Sequence, residues 1–402
     1  VKVLLKGGYV LSEPGADVLV DGGSIAEIGP NLPAQGATVL NASGKVVIPG
    51  FVDTHRHMAQ SPLRGFAADM TLEYYLANVV ARIGARQDID DVRNSLRLAA
   101  AEAIDAGVTT VLDWSGFSDP AQVDAAVETH QETGLRVLFG HSNPDDEADV
   151  RTRADQVKIA LAPLGPDYLC IEDTTRHIRL ARDLGVIATL HVGGGRNGAK
   201  AQSITRLHKE GLLGPDLNFV HANMISDDEV RMIADSGASL TVTPVVELMM
   251  GHGDLAYKRF TEAGGAPALG VDVVINNTPD MFSEMRTALL HERARRDSRP
   301  AAGDMLRAAT INSAHAIGMG DEVGSLEVGK RADIVLLAGL EHLFGEGPET
   351  VAGGVVTSAG NSDVHTVLIN GRIVKRDGLL IDHDLRDLRE ATLDIAHRTL
   401  AA

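Results

Sequence analysis

Residues 88–112 read DIDDVRNSLRLAAAEAIDAGVTTVL, and this stretch decides the fold. Val92, Leu96, Ala99, Ala100 and Ala103 recur at the three- and four-residue spacing that lines one face of a helix, so residues 88–106 are expected to be helical. Gly107 supplies the stop. Residues 109–112, Thr-Thr-Val-Leu, follow at once as a strand. A helix running straight into an apolar strand is the texture of a parallel sheet with crossover helices.

The same texture repeats on either side. Strand candidates lie at residues 52–55, 109–112, 136–139, 168–171, 186–191, 218–221, 239–243 and 268–274. Eight strands, mostly separated by helical segments, predict an α/β fold of the (β/α)₈ TIM-barrel type, whose usual size is about 250 residues. A doubly wound open sheet is disfavoured, because no Gly-rich phosphate turn follows the early strands. Both ends of the chain are β-rich, with strands expected at 3–5, 18–20, 24–28 and 45–48, and again at 333–337 and 364–370. The expected organisation is a barrel over residues 51–321, flanked by one small β-sandwich built from residues 1–50 and 322–402. The last segment carries Leu385, Leu388, Leu393 and Ala396 at near-helical spacing, a helix expected to dock on the body or on a second subunit.

Composition narrows the partners. Asp plus Glu number 55 against 37 Lys plus Arg, a formal charge of -18 that repels phosphate backbones and anionic lipid. No apolar run approaches the ~18 residues that span a bilayer, and the opening residues lack the basic and apolar pattern of a signal peptide. A soluble cytoplasmic protein is expected, with a small-molecule substrate, no nucleic-acid or membrane partner, and assembly as a homodimer. Cys170 is the only cysteine, which excludes an internal disulfide and a Cys-rich zinc module. Any metal must therefore use His and carboxylate ligands.

Such ligands collect at strand ends. His55-Arg56-His57 closes the first barrel strand, and in an extended chain residues i and i+2 point the same way, so both imidazoles can meet one ion while Arg56 points elsewhere. His191, His221 and Asp272 each end or closely follow another predicted strand. In a barrel all of them fall on the C-terminal face, where such folds keep their active sites.

The residues 49–57, Pro-Gly-Phe-Val-Asp-Thr-His-Arg-His, followed by Gln60 and Leu63-Arg64-Gly65, resemble the opening of the amidohydrolase superfamily, in particular its cytosine deaminase and triazine hydrolase branch. The resemblance continues through residues 107–113, Asp272, Asn276-Asn277, Asp280-Met281-Phe282 and the run 324–335. It implies that His55, His57, His191 and Asp272 hold one divalent metal, and that His221 contacts the substrate or the bound water. A second ion would need a bridging lysine after strand four, and residues 169–173 have none. Three imidazoles and a carboxylate suit zinc first and iron(II) second, and metal-activated water would give up its proton to Asp272.

One departure stands out. The deaminases that this chain resembles carry a glutamate three residues after the strand-five histidine, where it protonates a ring nitrogen, whereas this chain has Gly194. Glu247, just after strand seven, is the expected replacement acid and Glu172 a weaker one, while His141, His177 and His252 are candidates for the mouth of the barrel. The expected function is that of a metal-dependent hydrolase cleaving a C–N bond, by deamination or cyclic amide opening, in a small heterocyclic substrate. The alternatives are a non-hydrolytic lyase, isomerase or cyclase on the same metal site, and a non-enzymatic scaffold. Expected catalytic residues are Asp272, His221 and Glu247.

Overall fold

A computed structural model of the chain describes residues 2–80, 83, 86–295 and 297–400. Eight parallel strands form one sheet in strict chain order: β1 (Phe51–Arg56), β2 (Val108–Trp114), β3 (Arg136–His141), β4 (Ile159–Leu161), β5 (Ala188–Val192), β6 (Leu217–His221), β7 (Ser239–Val242) and β8 (Ala268–Leu269). The first and last strands then meet. Thr54 Oγ1 donates to the Leu269 carbonyl at 2.9 Å, the Asp272 N–H donates to the His55 carbonyl at 2.7 Å, and the His57 N–H donates to the Asp272 carbonyl at 2.9 Å. These bonds bring the two ends of the sheet together as a TIM-type barrel and set His55, His57 and Asp272 side by side.

The helix read from residues 88–106 spans Ile89–Asp105. Asp88 and Asp91 form a reciprocal capping box, and the acids of the first turn suit the helix dipole. Val92, Leu96, Ala99, Ala100 and Ala103 are all buried, as their spacing requires. The chain leaves through Gly107 at φ +80°, where a Cβ would lie 3.3 Å from Val335, so this turn needs glycine.

The fourth strand is not where the sequence suggested. It is Ile159–Leu161, while the run 168–171 leads into the helix Ile171–Leu184. Cys170 caps that helix, its Sγ accepting from the Asp173 N–H, and Glu172 and Asp173 fill the first turn. A short apolar run can be read as strand or helix start, and here the acidic first turn decides. The residues that follow the true β4, Ala162-Pro163-Leu164-Gly165, also lack lysine. Strand eight is shorter than expected, because the chain bends after Leu269 to bring Asp272 to φ +63°.

The two chain ends share one sheet. Its strands run Leu379–Leu380, Arg372–Arg376, Val364–Ile369, Ile334–Leu337, Val46–Pro49 and Tyr9–Val10, and a second sheet orders Ser24–Gly29, Asp17–Asp21, Val3–Lys6 and Thr38–Asn41. Ile334 stands opposite Pro49 and Leu337 opposite Val46 in an antiparallel pair. Alternation then serves two cores: Val47, Ile334 and Leu336 pack with Val3, Leu5 and Val18, while Val46, Ile48, Val335 and Leu337 join the barrel core. We propose that residues 1–50 and 322–402 form one β-sandwich unit and residues 51–321 the barrel. The final helix, Leu385–Leu400, docks on the barrel body, where Arg398 pairs with Asp91 and Arg389 with Glu102. Among the described residues no helix is long and apolar enough to cross a membrane.

Candidate active site

The ends of β1, β5 and β6 converge with Asp272. His55 Nε2 lies 3.2 Å from His191 Nε2 and 3.4 Å from Asp272 Oδ1; His57 Nε2 lies 3.4 Å from the same oxygen, and His221 Nε2 lies 3.9 Å from Asp272 Oδ2. The alternation at 55–57 explains the pairing of imidazoles. Arg56 points away into the barrel wall, bonding Asp53 through Nε at 2.7 Å and the Pro279 carbonyl through Nη2 at 2.9 Å.

The cluster fits a divalent cation. His57 Nδ1 is 3.1 Å from the Trp114 carbonyl, so Nδ1 carries the proton and the Nε2 lone pair faces the cluster. Burial and the neighbouring His55 push the His57 pKa down to about 4, and burial with the surrounding imidazoles drives His191 well below its ordinary value. Both are neutral, the form in which imidazole binds metal. Burial alone would raise Asp272, but its bond to His55 and the electrostatic influence of the surrounding imidazoles outweigh that and hold the carboxyl well below the usual range. Facing imidazole nitrogens beside an ionised carboxylate, with His55 and Asp272 buried and His57 and His191 half-buried, form a donor set that one cation satisfies.

Backbone strain concentrates here. His221, Ala222 and Asp272 sit at φ +78°, +57° and +63°, the left-handed region that side chains rarely adopt, at about 1–3 kcal/mol each. The Ala222 N–H to the Val192 carbonyl, 2.8 Å, and the Asp272 N–H to His55 hold these turns in place.

Glu247 lies behind His221, not in the cavity. It is fully buried on the short helix Pro244–Met250, and its Oε1 accepts from His221 Nδ1 at 3.2 Å and from the Thr243 N–H at 2.8 Å, while Oε2 accepts from Asn223 Nδ2 at 2.7 Å. Burial works against protonation of His221, yet the bond to Glu247 and the charge of Asp272 raise its pKa overall. Glu172 is exposed on the outer helix and does not reach the cluster. His141 and His177 are tied to Asp149 and Asp145 at 2.8 and 2.9 Å, and neither lines the central cavity.

That cavity, of about 340 Å³, has His57, His191, His221, His252 and Asp272 on its floor. Leu72, Leu76, Val80, Ile83, Phe117 and Leu164 form its walls, with Trp114 and Tyr168 adding aromatic surface. Trp114, the only tryptophan in the chain, stands with its ring 4.8 Å from that of His191 and 5.3 Å from that of His57. Sequence reasoning passed over it, although its place at the end of β2 was the same signal that marked the histidines. Gly194 caps the short helix Gly195–Ala201, and a Cβ there would lie 3.6 Å from Leu72 and 3.9 Å from His252 Nδ1.

The model of the amidohydrolase family matches residues 46–374. A 5-methylthioadenosine/S-adenosylhomocysteine deaminase of Symbiobacterium thermophilum is 31% identical, with 94% of each chain covered. A 5'-deoxyadenosine deaminase of Methanosarcina mazei is 29% identical, with 93% of each covered. Among solved structures, an adenosine deaminase from Xanthomonas campestris with bound zinc superposes with a TM-score of 0.89 at 26% identity, covering 100% of this chain and 99% of that one. Atrazine chlorohydrolase from Arthrobacter aurescens, complexed with zinc, shares the fold with a TM-score of 0.87 at 22% identity, covering 98% and 100%.

Proposed function

The chain belongs to the amidohydrolase family, and from that premise we propose that it is a zinc-dependent hydrolase that removes an amino group from a small, neutral heterocycle bearing an apolar substituent. Family membership and the deaminase relatives support metal-dependent hydrolysis of a C–N bond. The observation that carries it is the meeting of His57, His191 and Asp272 on the floor of one largely apolar cavity, with His55 buried directly beside them. One ion is proposed because no lysine follows β4.

A divalent ion held by these four side chains would supply Lewis-acid activation of water at neutral pH. The remaining work falls to the chain. Ionised Asp272 is suited to take a proton from the attacking water, and its Oδ2 faces His221. Glu247 fixes the His221 ring through Nδ1 and favours its protonated form, which suits it to steady charge developing on the substrate. Trp114 and Tyr168 add aromatic surface suited to a planar ring, and the aliphatic wall both excludes water and accepts an apolar group. Assembly as a homodimer is part of the same proposal, and light scattering reads it.

The test uses zinc-loaded protein with 5'-methylthioadenosine, 5'-deoxyadenosine and a set of aminotriazines and aminopyrimidines, following ammonia release. At least one should release ammonia, lose that activity on chelation and regain it with zinc. No release across the panel, or release that survives complete metal removal, contradicts the proposal.

A further inference from the structure

The cavity floor holds one imidazole that the cluster does not use. His252 is 2% exposed, and neither of its ring nitrogens has a hydrogen-bond partner. Every other titratable group on the floor is engaged: His57, His191 and Asp272 in the cluster, and His221 by Glu247. The cavity amide is also spent, because Gln60 and the Tyr75 hydroxyl bond each other at 2.7 and 2.9 Å. A buried polar group without a partner destabilises the fold, so its retention calls for a compensating role.

The backbone holds His252 firmly in this place. Its N–H donates to the Glu247 carbonyl and its carbonyl accepts from the Gly195 N–H, both at 2.9 Å. Gly251 ends the preceding helix at φ +71°, and Gly253 follows at φ +134°, where a Cβ would lie 2.6 Å from Met224 Sδ. Glycine is thus required on the far side of His252 by space as well as by conformation. The ring packs edge-on against His221 with centroids 4.7 Å apart, and its Nδ1 borders the space that a side chain at position 194 would enter. Burial and the charge of His221 push the His252 pKa down to about 4, so at neutral pH it offers one N–H donor and one lone pair. A neutral imidazole can polarise a substrate by donating a hydrogen bond.

We propose that His252 is a substrate-binding residue whose imidazole hydrogen-bonds a ring nitrogen or ring carbonyl of the heterocycle, from the side of the cavity that Gly194 leaves open. This rests on reading the cavity as the substrate site. It also predicts that the ligand-free protein carries the imidazole at a cost to its own stability.

The experiment compares zinc-loaded wild type with His252→Leu and His252→Gln, measuring zinc content, Tm without ligand, and kcat/KM for 5'-methylthioadenosine. The leucine variant should keep its zinc, gain about 1–3 °C in Tm and lose about 10²-fold or more in kcat/KM. The glutamine variant, which restores a donor and an acceptor, should recover about a tenth or more of the wild-type value. A leucine variant with unchanged kcat/KM overturns the proposal, and so does one whose Tm falls, because that marks a packing role. If the wild type itself releases no ammonia from 5'-methylthioadenosine, that failure belongs to the choice of substrate, and the same comparison is made with whichever heterocycle of the panel the wild type deaminates.

Discussion

The terminal sheets and the C-terminal face of the barrel are both well buried, yet they are built differently. Between the sheets the core is hydrocarbon: Val3, Leu5, Val18, Val20, Ile334 and Leu336 are each at most 2% exposed, and backbone ladders carry the polar bonding. On the barrel face, five imidazoles and a carboxylate meet, three residues sit in the left-handed region, and His252 has no partner at all. Between these extremes lies the buried Asp53–Arg56 pair, in which Asp53 Oδ1 also accepts from the Val271 N–H at 3.0 Å. The difference teaches that buried polarity alone does not mark function. Where opposite charges pair within the barrel wall, as Arg56 Nε and Asp53 do although Arg56 Nη1 finds no acceptor, they serve the fold; where strained or unpaired groups line a cavity, they are kept for a ligand.

The largest expected effect is on the open groups. A protein carrying both His55→Ala and His57→Ala should lose nearly all bound zinc and all turnover, because half of the proposed ligands are gone. Elemental analysis that still finds stoichiometric zinc would remove these two residues from the metal site. Next comes the buried ion pair. Asp53→Ala strands the Arg56 guanidinium, which is 1% exposed, and should lower stability by about 3–5 kcal/mol in urea denaturation. A loss below about 1 kcal/mol would mean that Arg56 finds other acceptors.

In the terminal sheets stability and catalysis should separate. Ile334→Ala should cost about 2–5 kcal/mol of stability while leaving zinc content and kcat/KM near the wild-type values. A comparable fall in kcat/KM would show that this core is coupled to the site. The smallest effect belongs to the residue that acts through another. Glu247→Gln keeps the shape but weakens the hold on His221, and should lower kcat by about 10- to 100-fold with zinc retained. A rate unchanged over pH 5 to 9 would leave Glu247 with a packing role only.

Much of the architecture was legible because two periodicities carry it. The three- and four-residue spacing at residues 88–106 and the alternation around 45–48 and 334–337 are direct consequences of which side faces a core. The i, i+2 spacing brought His55 and His57 to one side, and strand ends located His191, His221 and Asp272. What failed was local and short. Strand β4 has only three residues, Ile159–Leu161, too few to show a period, while the apolar run at 168–171 imitated a strand until the acidic turn after Cys170 is weighed as a helix start. Glu247 was read as facing the cavity because it follows β7 closely, but the helix Pro244–Met250 turns it behind His221, a rotation that depends on where Pro244 starts the helix. His252 was named with His141 and His177 as a candidate for the mouth of the barrel, and only the space around Gly194 and Gly253 separates it from the other two.

The central claim is that water, activated at the proposed metal cluster, replaces nitrogen on a ring carbon. Its most direct test is to run the zinc-loaded enzyme in ¹⁸O-labelled water with whichever heterocycle of the panel it deaminates, and to count label in the product against ammonia released, before and after chelation. One ¹⁸O in the ring product for each ammonia, with both lost together when zinc is stripped, is the expected result. Ammonia without label, or labelled product from metal-free protein, would contradict it.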